Sequence, residues 1–130
     1  MAFNNMSDHS LTIHVEKYFA AVDNKDLNTV LSFFTPDASF TIATYQTTFR
    51  GRDTEISGMF ERLFDRYDHI VHANFDHFYA DSDRIASRFE VQNEKIGTPR
   101  IYKNNCNFFK LKEGLFDEVF VYMSGDNALA

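Results

Sequence analysis

A chain of 130 residues with 44% hydrophobic content is predicted to form one globular domain over residues 1–130 with a real core, and a formal net charge of −6 with 13 scattered Lys and Arg excludes a phosphate-tracking surface. Nucleic acid is therefore not expected as a partner. Cys106 is the single cysteine, residues 1–10 lack the basic start and apolar run of a secretory signal, and no apolar segment approaches the roughly 18–20 residues that cross a bilayer, so a cytoplasmic protein with no membrane partner is expected.

Leu11, Val15, Tyr18 and Val22 recur at steps of four, three and four, which predicts a helix with one buried face over about residues 7–24. Asp26 stands where an N-cap would, three residues ahead of Thr29. Leu27, Val30, Leu31 and Phe34 then give the apolar side of a short second helix, which Pro36 and Asp37 end in a turn. Residues 38–44 are rich in β-branched and aromatic types and predict a strand, on which residues 47–51 pair back. Helical spacing returns over residues 53–67 through Ile56, Met59, Phe60, Leu63 and Phe64. The remainder reads as strands near residues 69–80, 84–92, 100–112 and 115–124, separated by turns at 81–83, 97–99 and 113–114. Residues 1–5 and 127–130 read as frayed ends around a core of about 7–125. Three helices ahead of a long antiparallel meander indicate an α+β domain, in which a strongly curved sheet wraps the helices into a cone. The cone interior, part core and part pocket, is where function is to be sought.

Fifteen Phe and six Tyr with no Trp exceed what a minimal core needs, so some rings are expected to line a cavity or an interface. Strand alternation places Lys103, Asn105, Asn107 and Phe109 on one face, either a pocket wall or a polar surface. On the opposite face, Tyr102, Cys106 and Phe108 join Phe120 and Tyr122 in an apolar patch, and an isologous homodimer is the natural cover. Cys106 is expected to be a small buried apolar residue rather than a nucleophile. His72 and His77 with Asp76 are common ligand types, yet no metal site is expected. Positions 72 and 77 differ by an odd number and point to opposite faces of a regular strand, and no further ligand completes the set. Gly51 and Gly58 form no phosphate loop, because no Gly-rich turn with Lys and Ser or Thr follows a strand.

The stretch Tyr18-Phe-Ala-Ala-Val-Asp23-Asn-Lys-Asp26-Leu, the later Phe33-Phe-Thr-Pro-Asp37-Ala and the order of elements resemble the SnoaL-like branch of the nuclear transport factor 2-like superfamily over about residues 7–125. The resemblance implies the cone-shaped, cystatin-like α+β barrel shared by ketosteroid isomerases, scytalone dehydratase, a bile-acid dehydratase and a hexachlorocyclohexane dehydrochlorinase, and by members with no known activity. Tyr18 falls where the isomerases place a tyrosine that donates to a developing enolate oxygen. Asn107 falls where they keep a protonated aspartate as second donor. Their general base corresponds to Ile42, which cannot take a proton. The dehydratases and the dehydrochlorinase pair an aspartate late in the first helix with a histidine early in the first meander strand, and here these are Asp23 and His72. The arginine that some members add near the C-terminal strand has no clear match.

A carboxylate that accepts from one imidazole nitrogen fixes the tautomer and leaves the other nitrogen to remove a substrate proton. On that reading His72 is the base, Asp23 orients it, and Tyr18 and Asn107 hold a substrate oxygen as charge develops. The expected function is lyase or isomerase chemistry on a small hydrophobic molecule with no cofactor. The alternative is a non-catalytic member of the fold that binds a small ligand or serves as a dimeric interaction module. Each residue also has a plain role open to it: Tyr18 in the core, Asp23 as a solvated helix-end carboxylate or a partner of the Asn24–Lys25 turn, His72 as a structural histidine, and Asn107 satisfying backbone inside the sheet.

Overall fold

In the computed structural model, which describes residues 6–130, helix α1 spans Asp8–Asp23. The expectation for residues 1–5 lies outside the described residues. Ser7 caps α1 by accepting from the Ser10 backbone N–H at 3.1 Å, and Leu11, Val15, Tyr18 and Val22 are buried, as the periodicity requires. Asp26 caps α2 (Leu27–Ser32), accepting from the backbone N–H and the hydroxyl of Thr29 at 3.2 and 2.6 Å.

The second helix stops short of Phe34, contrary to the reading that gave it this residue and ended it in a turn at Pro36 and Asp37. All three residues belong to β1 (Phe34–Ile42). Pro36 disfavours helical backbone at Thr35, and Phe34 finds its partner instead at Phe116 of β6 (Leu115–Met123). The register of that pairing shifts between Phe34 and Ser39, so Pro36 sits where it need not donate to a ladder.

A 3₁₀ turn at Ala43–Tyr45 leads to β2 (Thr47–Arg50), and a π turn at Gly51–Ile56 leads into α3 (Ser57–Arg66). The meander follows as β3 (His69–Asp81), β4 (Arg84–Glu94), β5 (Ile101–Lys112) and β6. Strand order across the six-stranded sheet is β2-β1-β6-β5-β4-β3, antiparallel except where β1 meets β6 in parallel. The sheet curls around the helices in an α+β cone. Rings of Phe34, Phe60, Phe109 and Phe116 surround Tyr18 edge-on, with centroids 5.1–6.3 Å from its own. None of the helices among the described residues is long and apolar enough to cross a membrane.

Two features of β3 position the side chains inside the cone. Between Ala73 and Asp76 it carries one residue more than β4, and Asn74 adopts a left-handed φ of 58° at this bulge. His72 pairs with Val91 and His77 with Ser87, four residues apart on β4, so both histidines face the inside of the cone. The expectation that they point to opposite faces is overturned by that extra residue. In addition, α1 is tied to β3 by a row of side-chain contacts: Asp23 with His72, Glu16 with His77 and Thr12 with Tyr79.

Tyr102, Phe108, Phe120 and Tyr122 lie exposed on the outer sheet face. Cys106 lies among them half-buried rather than buried, with its thiol pKa raised by burial, which disfavours the nucleophilic form.

On the other side of α1, His14 stands edge-on to Phe33 and Phe116 at 4.9 and 4.8 Å, and its Nε2 is buried without a partner. Burial lowers its pKa from 6.5 to about 4. The unfolded chain therefore binds a proton here more readily than the folded one. Stability is full above the unfolded value and is lost as pH falls from 6.5 toward about 4. With part of the ring exposed, the loss amounts to ~1–2 kcal/mol. Urea unfolding of wild type and His14→Leu across this range is expected to show that fraction of the slope missing in the variant. Parallel curves would assign the slope to other groups.

Candidate active site

Asp23 is the last residue of α1, where unpaired helix carbonyls make a carboxylate seek a cationic or donor partner. Both of its oxygens are used by one residue across the gap to β3. Oδ2 accepts from the His72 backbone N–H at 2.9 Å, and Oδ1 lies 2.5 Å from His72 Nδ1. The Asn24–Lys25 turn takes no part in this, since Lys25 donates to the Tyr67 carbonyl oxygen. The imidazole is held flat by Phe19, 4.6 Å away and tilted by 30°, with Phe89 at 5.5 Å, and its side chain is 10% exposed. With Nδ1 committed to Asp23, Nε2 is the ring nitrogen left for a ligand.

His72 lines two small adjoining cavities of about 40 Å³ each, which share Leu63, Asn105 and Leu129. One also takes in Tyr18 and Asn107, so three of the four residues singled out from sequence meet at a single space, with Asp23 behind the third. Tyr18 is both a core residue and a cavity wall. It is 2% exposed, and desolvation, with the Asp23 charge second, pushes its phenol far above the ordinary range, so it keeps its proton and remains able to donate. Ile42, the position of the isomerase base, is fully buried in the core.

Asn107 is 3% exposed, and its Oδ1 has no hydrogen-bond partner. The same holds for Oδ1 of Asn93 and of Asn105, which line the second cavity beside Lys103. Unsatisfied buried amides are rare in proteins, and here several gather around one space. The alternation of β5 announces Asn105, Asn107 and Lys103. Asn93 continues the buried series Phe89, Val91 on β4 and could have been found the same way.

The C-terminal segment departs from its sequence reading as a frayed end. Residues 127–130 turn back over the cone, with Ala128 and Leu129 packed against the core and forming part of the cavity wall. Arg66 donates to the carbonyl oxygens of Ala128 and Ala130, Lys103 to that of Asp126, and Tyr45 to that of Gly125. No sequence signal foretells this, because Ala128, Leu129 and Ala130 are too short an apolar run to show a period.

His77, brought to the same face by the bulge, is engaged elsewhere: Nε2 lies 2.7 Å from Glu16 and Nδ1 2.7 Å from Ser87, which is wholly buried. A serine so enclosed cannot reach a substrate. Among the described residues no group of three metal-ligating side chains gathers at any point.

Replacing Asn107 by Leu removes the unpaired oxygen and fills similar volume. We expect the variant to be as stable as wild type or more so, by ~1 kcal/mol, in chemical denaturation. A loss of stability would show that the amide is bonded in solution and serves the fold.

Comparisons with known proteins agree with this architecture. No protein of curated description matches the sequence. Many solved structures share the fold at low identity, among them the following three. A SnoaL-like polyketide cyclase candidate from Shewanella denitrificans superposes with a TM-score of 0.77 at 13% identity, over 91% of this chain and 92% of that one. A protein of ketosteroid isomerase-like fold from Catenulispora acidiphila, in complex with trimethylamine, gives 0.70 at 17% over 89% and 88%. A nuclear transport factor 2-like protein from Burkholderia xenovorans gives 0.72 at 14% over 92% of each. Residues 15–119, which hold most of the cone together with Tyr18, Asp23, His72 and Asn107, match the model of the SnoaL-like domain, and the chain belongs to that family.

Proposed function

We propose that this SnoaL-like chain is a cofactor-independent enzyme of lyase or isomerase type that removes a proton from a small, fairly hydrophobic organic molecule. The observation that carries this reading is the 2.5 Å contact between Asp23 and a His72 ring that also lines a cavity with Tyr18 and Asn107. Neutral His72 donates Nδ1–H to Asp23 and accepts the substrate proton at Nε2, and the carboxylate stabilises the imidazolium formed. The electron pair of the broken C–H bond moves onto an adjacent carbonyl oxygen, to which Tyr18 and Asn107 donate. Return of the proton at another carbon completes an isomerisation. Departure of a β-hydroxyl, leaving as water with the proton from His72, completes a dehydration. A base of this kind contributes ~10²–10⁴-fold.

A second reading is favoured by one observation. Asp23 also accepts from the His72 backbone and stands in a row with two other ties between α1 and β3, so the contact could serve docking alone in a binding module. The two readings part on protons. Nitrogen-15 NMR at neutral pH is expected to find His72 as the Nδ1–H tautomer. Deuterium incorporation beside the carbonyl in a panel of small cyclic ketones and β-hydroxyketones is expected to fall ~10²–10⁴-fold in both His72→Gln and folded Asp23→Asn. An Nε2–H tautomer, or undiminished exchange in His72→Gln, would replace the enzyme reading with the binding one.

The exposed rings of the outer face, with Tyr102 64% exposed and Phe108 set edge-on to Tyr122 at 5.7 Å, support an isologous homodimer through Tyr102, Phe108, Phe120 and Tyr122. An apolar groove of about 490 Å³, lined by Phe78, Phe108 and Phe120 among others, adds to that surface. Light scattering after size exclusion should show Phe120→Glu as a monomer or as insoluble protein. An unchanged dimer mass rejects this surface.

A further inference from the structure

Two cations stand beside the cavities in an arrangement that the proton-transfer reading does not use. Lys103, on β5, is 6% exposed and lines one cavity together with His72, Asn93 and Asn105. Arg66 closes α3 one turn after Leu63, which lines both cavities. The chain has 19 acidic residues against 13 Lys and Arg, yet among the described residues neither cation is ion-paired with a carboxylate side chain within 4 Å. Both spend their donors on backbone oxygens of one short stretch: Lys103 on the Asp126 carbonyl oxygen, Arg66 on that of Ala128 and, at 2.8 Å, on the backbone oxygen of Ala130.

The same stretch places Ala128 and Leu129 in the cavity wall. It thus supplies a row of oxygens to two cations and an apolar body to the space beside them. A carboxylate offers a charged acceptor in place of the Asp126 and Ala128 peptide oxygens, and such bonds are about twice as strong as those to a neutral oxygen. Arg66 presents the planar fork that suits a carboxylate, and Lys103 a point charge.

We propose that Lys103 and Arg66 form a carboxylate subsite, and that the substrate is a small carboxylic acid whose apolar body takes the place of Leu129 when residues 126–130 lift away. This deepens the enzyme reading and rests on it, since it sets the substrate's apolar body against His72. Tyr45 holds the carbonyl oxygen of Gly125, whose φ of 79° suits glycine, so the stretch has a fixed end from which to swing. Desolvation lowers the Lys103 pKa, with the Asp126 charge partly offsetting it, and a bound carboxylate relieves that burden. The Asp126 charge is the anionic influence that acts on Lys103 in the closed form.

The test is an NMR titration of the full chain with phenylacetate and with its neutral counterpart phenylacetamide, read at the His72 ring and the Leu129 amide. Phenylacetate is expected to bind at least ~10-fold more tightly than the amide and to remove the exchange protection of Leu129. Lys103→Met and Arg66→Gln should each weaken phenylacetate ~10-fold and leave phenylacetamide unchanged. If Lys103→Met does not fold, Arg66→Gln on its half-buried helix end decides alone. Equal affinity for acid and amide, wild-type affinity in Arg66→Gln, or no phenylacetate binding at millimolar concentration overturns the subsite. Selectivity for the acid in a protein whose His72 has the wrong tautomer supports the subsite and overturns only the base.

Discussion

One carboxylate ties the first helix of this molecule to the edge of its sheet. Asp23 sits at the end of α1 and uses one oxygen for the backbone of His72 and the other for its ring. The first contact fixes where the helix end meets the edge strand of the sheet. The second fixes which way the imidazole faces. Because both rest on one side chain, the packing of the helix and the orientation of the ring cannot vary independently. That coupling pre-organises the ring.

The bulge in β3 is the second determinant. A regular strand would send His72 and His77 to opposite faces, and α1 could then engage only one of them. The extra residue at Asn74 turns both inward, so that Asp23 and Glu16 of the same helix each meet a histidine. Phe75 is carried inward as well, where its ring stacks on His77 at 5.7 Å and lies 5.4 Å from Phe19. The aromatic wall around His72 is therefore a product of the same backbone irregularity.

The unpaired buried amides are concentrated on one side of the cone. The apolar half of the cone is filled by interlocking rings, while the half lined by β4 and β5 carries amides without partners and a buried lysine. Residues 126–130 cover that half with backbone oxygens and a single leucine. The interior of the cone is thus divided between a part that needs no ligand and a part closed by the chain's own tail.

Much of the fold was legible in the sequence because its signals are local. The stripe of α1, the cap at Asp26 and the alternation of β5 depend on neighbours within a few residues, and the α+β class follows from their order. The gathering of the four candidate residues was legible too, since Tyr18 and Asp23 lie on the buried side and end of one helix and His72 and Asn107 at strand positions that a cone turns inward. The sequence alone did not determine the parallel pairing of β1 with β6, which takes Phe34 from the helix, because it joins segments about 80 residues apart. Nor did it determine the inward turn of His77, since a bulge shifts register by one residue with no compositional mark beyond an asparagine. The seating of Leu129 in the cavity wall was decided by tertiary structure for the same reason: a tail has no periodicity of its own, and its place depends on donors, here Arg66 and Lys103, that distant segments present to its backbone oxygens.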